Sequence, residues 1–291
     1  MEKKALLIII ATFNRKDYLK KILQQIQNQN IPPDIIVKTL VVIAGSNDGT
    51  IEMLSKDFKE VSVLKGTCNW WWTKCMNEGF KKAQDLSSDF ILILNDDNEI
   101  KTDYLKILWE DFQTLPIGSI LGSASVSIDS SNLINSAGTK EFIRWRLKFV
   151  DYIYGFKQVY SEFKGIQPTW TLSGRGTLIP IDTFKQIGFY DKNLVQYGSD
   201  DEFILRARLA GINCFISWNA HVYNHLMLTS EGTAFRKDST LKLIMSFFNS
   251  HSVNSIKKDI YLYKKYGYLI LLPFFVVYTI LGTVRAYLFK Y

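Results

Sequence analysis

The first hundred residues alternate between short β-branched apolar runs and longer stretches in which apolar residues recur at helical spacing. Residues 6–10, 39–43, 61–64 and 90–94 read as strands, and residues 16–28, 50–58 and 73–85 read as the helices between them. Continuously apolar strands alternating with amphipathic helices predict an α/β fold, a mostly parallel sheet with helices on both faces. Ligands of such sheets sit beyond the carboxyl ends of the strands. Polar clusters follow three of the strands here, at residues 12–15, 45–49 and 95–98.

Beyond this repeat the pattern loosens. Residues 117–170 mix strand-like pieces with many aromatics, among them Trp145, Phe149, Tyr152, Tyr154 and Phe156, as expected of a region that shapes the site of a second substrate. A helix, a turn at Gly188 and a further helix from about Asp200 occupy residues 181–210. Residues 266–284 are almost wholly apolar, interrupted by Pro273 and Gly282, and approach the ~20 residues of a membrane span. Lys257, Lys258, Lys264 and Lys265 precede this run, and Arg285 and Lys290 follow it. With Pro273 as a break, the segment predicts a membrane-embedded or interfacial helix pair in preference to a single span or a core helix. The expected division is a catalytic domain over residues 1–235 and a helical, membrane-associating region over residues 236–291.

Composition narrows the partners. A length of 291 residues allows one large core with an appendage, and 47% hydrophobic residues exclude a mainly disordered chain. The net charge of +7 suits anionic lipid or a polyphosphate ligand, while the lack of an Arg-rich stripe with interleaved aromatics argues against nucleic acid. Cys68, Cys75 and Cys214, an odd count without a CxxC spacing, fit a reducing compartment. The apolar stretch at residues 5–11 is too short to span a bilayer and lacks a small-residue cleavage site, so it reads as a buried first strand and predicts a catalytic part at the cytoplasmic face of the plasma membrane.

Three clusters carry candidate chemistry. Asn95-Asp96-Asp97-Asn98 ends a strand with adjacent carboxylates, which suits a hard divalent cation bridging phosphate oxygens and also suits a plain turn. Gly45-Ser46-Asn47-Asp48-Gly49-Thr50 leads from strand to helix, where small residues and free amides favour an anion; a simple capped turn has the same composition. Tyr197-Gly198-Ser199-Asp200-Asp201-Glu202 sets acids at a helix start with Arg206 and Arg208 further on. That arrangement complements the helix dipole, and the run of acids exceeds what a cap needs, leaving a carboxylate for general-base work.

The ordered set Thr12-Phe13-Asn14-Arg15, Gly45–Thr50, Asn77-Glu78-Gly79, Leu94-Asn95-Asp96-Asp97, Gly174-Arg175-Gly176-Thr177 and Asp200–Arg206 resembles the family 2 inverting glycosyltransferases of GT-A fold, over about residues 5–230. The run Asn69-Trp70-Trp71-Trp72-Thr73-Lys74 is similar to a subgroup that assembles bacterial cell-surface polysaccharide. The resemblance implies a hexosyl- or deoxyhexosyltransferase that moves a sugar from a nucleotide-sugar donor, dTDP- or UDP-linked, to a hydroxyl of a lipid-linked or polysaccharide acceptor. It assigns Asp200 as catalytic base, and Asp97, with Asn95 in the first acid's place, as the ligand of Mg²⁺ or Mn²⁺. Thr12, Asn14, Arg15, Asp48, Asn77 and Asp96 match the donor side, and Gly174, Arg175, Asp201 and Glu202 the acceptor side. His225 stands where a late metal ligand occurs in GT-A enzymes, with His221 as the alternative. Trp72 joins the donor residues as a stacking platform; successive side chains of an extended segment alternate faces, so the three tryptophans cannot share one core.

Some positions depart from the family pattern. Ile43 stands where the family usually has an acid that commonly reads the nucleobase, which counts against uridine; Ala44 follows in place of Asp or Asn, and Ser199 stands where a glutamate is frequent. A sugar nucleotidyltransferase would also use paired acids and a metal, and a non-catalytic glycan-binding protein would keep the fold. The sequence leaves open whether the protein is a homo-oligomer.

Overall fold

The first strand, β1 (Lys4–Thr12), follows directly from its apolar run, since Leu6, Leu7, Ile8, Ile9 and Ile10 are all buried. A strand covered on both faces needs no polar alternation. The computed structural model describes residues 3–128, 133–153, 163–225 and 240–289. The other strands are β2 (Ile35–Ile43), β3 (Ser62–Lys65), β4 (Phe90–Asn95), β5 (Asn98–Ile100), β6 (Ile120–Ser127), β7 (Ile134–Ser136), β8 (Thr139–Ile143), β9 (Lys148–Asp151), β10 (Ile166–Pro168), β11 (Thr177–Pro180) and β12 (Cys214–Asn224). In space the main sheet runs β10-β12-β6-β11-β4-β1-β2-β3, while β8 and β9 form a separate hairpin.

β1 pairs in parallel with β2 and β4, β2 with β3, and β12 with β6. β11 lies antiparallel between β4 and β6, so the parallel strands on its two sides end at one common edge. The loops that leave this edge include those after β1, β2 and β4, the three that carry the polar clusters.

Helices α1 (Lys16–Gln27), α2 (Thr50–Asp57) and α3 (Trp72–Asp85) link these strands at the positions their periodicity predicts. In α1 the buried residues Leu19, Ile22, Leu23 and Ile26 form one stripe. Further helices are α4 (Tyr104–Gln113), α5 (Ile181–Ile187) and α6 (Ser199–Leu209). Two central strands escape the pattern. All of β6 is buried, yet its Gly122, Ser123, Ser125 and Ser127 weaken the apolar signal. β12 is interrupted by a bulge between Ser217 and His221. There the Ser217 hydroxyl accepts the amide of Ala220 at 2.9 Å and donates to Asp111 at 2.5 Å.

The C-terminal part consists of α7 (Thr240–Phe248), α8 (Ile256–Tyr266), a 3₁₀ turn (Leu269–Leu271) and α9 (Leu272–Phe289). The expected break at Pro273 is replaced by a helix start. Proline in the first turn forfeits no intrahelical bond, so α9 runs on unbroken from there. α8 packs onto the sheet domain: Tyr263 is fully buried and its hydroxyl donates to the Trp145 carbonyl at 2.7 Å, while Arg144 Nε donates to the Tyr266 carbonyl at 2.8 Å. By contrast, Leu241, Ile244, Met245 and Phe248 of α7 and most of α9 face solvent.

Candidate active site

The edge of the sheet where the parallel strands end borders a cleft of about 410 Å³. Its wall takes Asn95 and Asp97 from the end of β4, Arg15 from the loop after β1, Trp72 from the start of α3, Gly174 and Arg175 from the turn before β11, and Asp200 and Asp201 from the start of α6. Residues far apart in the chain thus meet in one cavity.

The two aspartates after β4 have different surroundings. Arg15 reaches both, with Nη1 at 3.1 Å from Asp96 Oδ1 and 3.0 Å from Asp97 Oδ2. Asp96 is turned inward from the cleft wall. Its burial pushes the carboxyl up to about 6 against the pull of Arg15, with the neighbouring charge of Asp97 adding to the rise. Asn95 Oδ1 is buried and receives no hydrogen bond. A carboxylate and an orphaned amide oxygen side by side are hard oxygen ligands that fit Mg²⁺ or Mn²⁺. Among the described residues no three His, Cys, Asp or Glu side chains converge as a metal cage. Such a cation takes one or two protein ligands and fills its shell from water and phosphate oxygens.

Gly198 turns the chain into α6 with φ +84°, a conformation costly for any residue with a Cβ. The acids of the first turn then face the positive end of the helix dipole, and Arg206 and Arg208 lie in the last turn. Asp200 accepts the Gly174 amide at 3.0 Å and the Asp201 amide at 3.0 Å, which fixes its carboxylate against the turn before β11. Gly174 is needed for close approach: a Cβ there would lie 2.4 Å from Trp72 Cζ2. Trp72 is held in turn, its amide donating to Gln196 Oε1 at 3.2 Å.

Several residues expected at the site have other duties. Glu202 lies two positions after Asp200, roughly 200° around the helix, and its side chain is fully buried. There it binds Arg206 at 3.0 Å, Lys265 at 2.8 Å and the Tyr266 hydroxyl, so it joins α6 to α8 and is removed from any acceptor. Asn77 faces away from the cleft wall and clamps the Tyr190 backbone, donating to its carbonyl at 2.9 Å and accepting its amide at 3.0 Å. Asp48 accepts the amides of Lys16 at 2.9 Å and Thr50 at 3.2 Å, which ties the loops after β1 and β2 together. Asn14, at φ +51°, completes that seam through Ser46 and Asn47, and Thr12 is buried beneath it. His225 lies outside the cleft wall, with Nε2 at 3.3 Å from Glu99 Oε1. His221 sits on the bulged strand, and burial holds its imidazole below the ordinary range. Ile43 is buried in the core, so its replacement of an acid leaves an apolar strand end.

The cleft also has lining that the sequence analysis did not find. Thr139 and Asp151, at the base of the β8–β9 hairpin, and Val253 and Lys258, from the C-terminal part, complete the wall near Asp200. Lys258 belongs to the basic set read as a membrane flank; its charge was visible in the sequence, while its position depends on how α8 docks.

The family model for glycosyl transferase family 2 matches residues 7–173. The chain belongs to glycosyl transferase family 2. Its mixed sheet, in which the antiparallel β11 lies between the parallel strands β4 and β6, is the GT-A fold. Among solved structures, this family 2 chain is similar to S. aureus TarS 1–349, with a TM-score of 0.53 and 16% identity over 85% of this chain and 66% of that one. The same TarS fragment in complex with UDP matches at 0.53 and 16% over 91% and 70% of the two chains. GalNAc-T7, solved with UDP, GalNAc and Mn²⁺, matches at 0.58 and 13% over 76% of this chain and 43% of its own. The chain thus spans less than two thirds of the GalNAc-T7 chain and just under two thirds of TarS 1–349. A comparison with curated proteins found no match.

Proposed function

We propose that the enzyme transfers a hexosyl or deoxyhexosyl group from a dTDP- or UDP-linked donor to a hydroxyl of a lipid-linked or polymeric glycan, with inversion, at the cytoplasmic face of the plasma membrane. The observation that carries this reading is the shared cleft of Asp97 and Asp200. Asp200 takes the proton of the acceptor hydroxyl as that oxygen forms its bond to the anomeric carbon. The bond from that carbon to the diphosphate breaks on the opposite face, and its electron pair leaves with the diphosphate. Asp97 and Asn95 would hold Mg²⁺ or Mn²⁺, which when bound supplies positive charge beside the leaving diphosphate. Arg15 adds positive charge at the same strand end, Trp72 gives the donor a flat apolar face, and Arg175 and Asp201 orient the acceptor.

Residues 1–235 form the transferase domain in this reading, and residues 236–291 associate with the membrane through Leu269–Phe289, which among the described residues is the one helix long and apolar enough to cross it. Within residues 236–291, α8 and the turn before it pack on that domain and bring Lys258 and Val253 to the cleft. Calorimetric titration of UDP and dTDP with Mn²⁺ tests the donor site. One of the two binds in a Mn²⁺-dependent manner, and Asp97→Ala abolishes that dependence. Binding of neither, or binding by the variant at wild-type strength, contradicts the assignment.

A further inference from the structure

The apolar segment Leu269–Phe289 has the length of a span, with a mean hydropathy of 1.9, and little of it is buried. Its contacts argue for another placement. The hydroxyl of Tyr278, midway along it, accepts from the Arg146 guanidinium, which also stacks on its ring at 4.6 Å. Arg146 belongs to the tip of the β8–β9 hairpin, Arg144-Trp145-Arg146, and Arg144 lies over Tyr268 at 5.0 Å. If the segment crossed a bilayer, Tyr278 would sit near the middle of ~30 Å of hydrocarbon and would carry a guanidinium and the hairpin backbone in with it.

We infer that α9 lies in the plane of an anionic membrane surface and that the Arg144-Trp145-Arg146 tip is its co-anchor. This inference rests on the reading that the enzyme associates with a membrane, and adds the orientation and a second contact element. α9 is apolar on most sides; Phe274, Val277, Leu281 and Leu288 share one exposed face that can enter the acyl boundary, while Tyr278, held by Arg146, and Arg285 border it. Trp145 is 55% exposed between two arginines, the combination of amphipathic ring and cation that suits the headgroup layer. Basic residues beside this apolar face complement anionic lipid and fix the occupant as a bilayer.

The same hairpin links membrane and chemistry. Its base, at Thr139 and Asp151, lines the cleft, and its tip is at Arg144–Arg146. Four strand steps separate Thr139 from Ile143, so the cleft wall lies on the order of 13 Å from the tip along the hairpin. A lipid-linked acceptor held in the headgroup layer would meet the cleft from that side.

The test uses the purified full chain. Wild type is expected to cosediment with vesicles of 30% phosphatidylglycerol in phosphatidylcholine, far less with pure phosphatidylcholine. The triple variant Arg144→Ser, Trp145→Ser, Arg146→Ser is expected to bind the anionic vesicles about tenfold or more weakly, with its circular dichroism and melting temperature showing a folded protein and with donor hydrolysis unchanged. Leu288→Cys in a background with Cys68→Ser is expected to react with an impermeant maleimide added on the protein's side of sealed vesicles. Labelling of Leu288→Cys only from the far side overturns the in-plane placement, and wild-type binding by the triple variant overturns the co-anchor. In both cases membrane association itself stands. Failure of the wild type to bind any vesicle overturns both readings, as does a concentration-dependent dimer, lost in Val277→Ser, Leu281→Ser, in place of vesicle binding.

Discussion

At the residue scale, the site is an example of neighbouring acids given opposite tasks by their surroundings. Asp200 and Glu202 lie two positions apart on α6, one on the cleft wall and the other fully buried among Arg206, Lys265 and Tyr266. Asp200→Asn keeps the volume and can still accept the Gly174 amide, so donor binding should persist while kcat for transfer falls by ~10²–10⁴-fold, as measured with donor and a suitable acceptor. Glu202→Ala removes the fully buried carboxylate that Arg206, Lys265 and Tyr266 share and should lower stability by ~2–3 kcal/mol in denaturant unfolding. A Glu202 that bound acceptor would instead raise KM with stability unchanged. Both acids were legible as a cluster in the sequence. Their division of labour was not, because a run of acids reads alike until the helix phase and its neighbours are known.

At the scale of elements, the contact between α6 and α8 links the helix that carries Asp200 to the C-terminal part. Lys265 bridges Asp191 and Glu202, each at 2.8 Å, and Tyr261 donates to Asp191 at 2.5 Å. Burial alone would raise the Asp191 carboxyl; hydrogen bonds from Lys265 and Tyr261 outweigh it and hold it at about 2. Burial likewise opposes the lowering of Glu202, which Arg206, Lys265 and Tyr266 bring about. A carboxyl held below its unfolded value of ~3.9 contributes stability that is complete above that pH and is lost as pH falls toward the folded value. Melting temperature should therefore be flat in this contribution from neutrality to about pH 4 and decline from there toward pH 2. Asp191→Asn should lower the neutral-pH melting temperature and flatten the acid decline. The strands and helices up to β4 were legible from periodicity. β6 was not, because Ser123, Ser125 and Ser127 occupy one of its faces and the small Gly122 and Ala124 dilute the other, and neither was β12, whose bulge depends on Ser217 and Asp111 meeting across the fold.

At the scale of the whole molecule, the C-terminal part is divided in function at the turn before α9. α8 completes the cleft through Lys258 and is stapled to the sheet domain, whereas α9 keeps Phe275 against Tyr263 at 4.1 Å and turns most of its surface outward. Deleting residues 269–291 should leave Mn²⁺-dependent nucleotide binding intact and reduce vesicle cosedimentation. Deleting residues 256–291 should also strip Glu202 of Lys265 and Tyr266, lower the melting temperature sharply and weaken transfer. Equal melting temperatures for the two truncations would contradict this division.

The sequence by itself determined the local order of strands and helices in the first hundred residues, the polar loops at the strand ends, and the family signature that names their chemistry. These are short-range properties, written in periodicity and in the residue types a turn or cap requires. Only the tertiary structure decided that Asp97 and Asp200 share a cleft, that Asn77, Asp48 and Glu202 brace the scaffold, and that Lys258 reaches the site while Arg146 meets Tyr278 on α9. Those outcomes depend on which side chains distant segments bring together, and the burial and pairing that result are set by the packed neighbours rather than by any spacing along the chain.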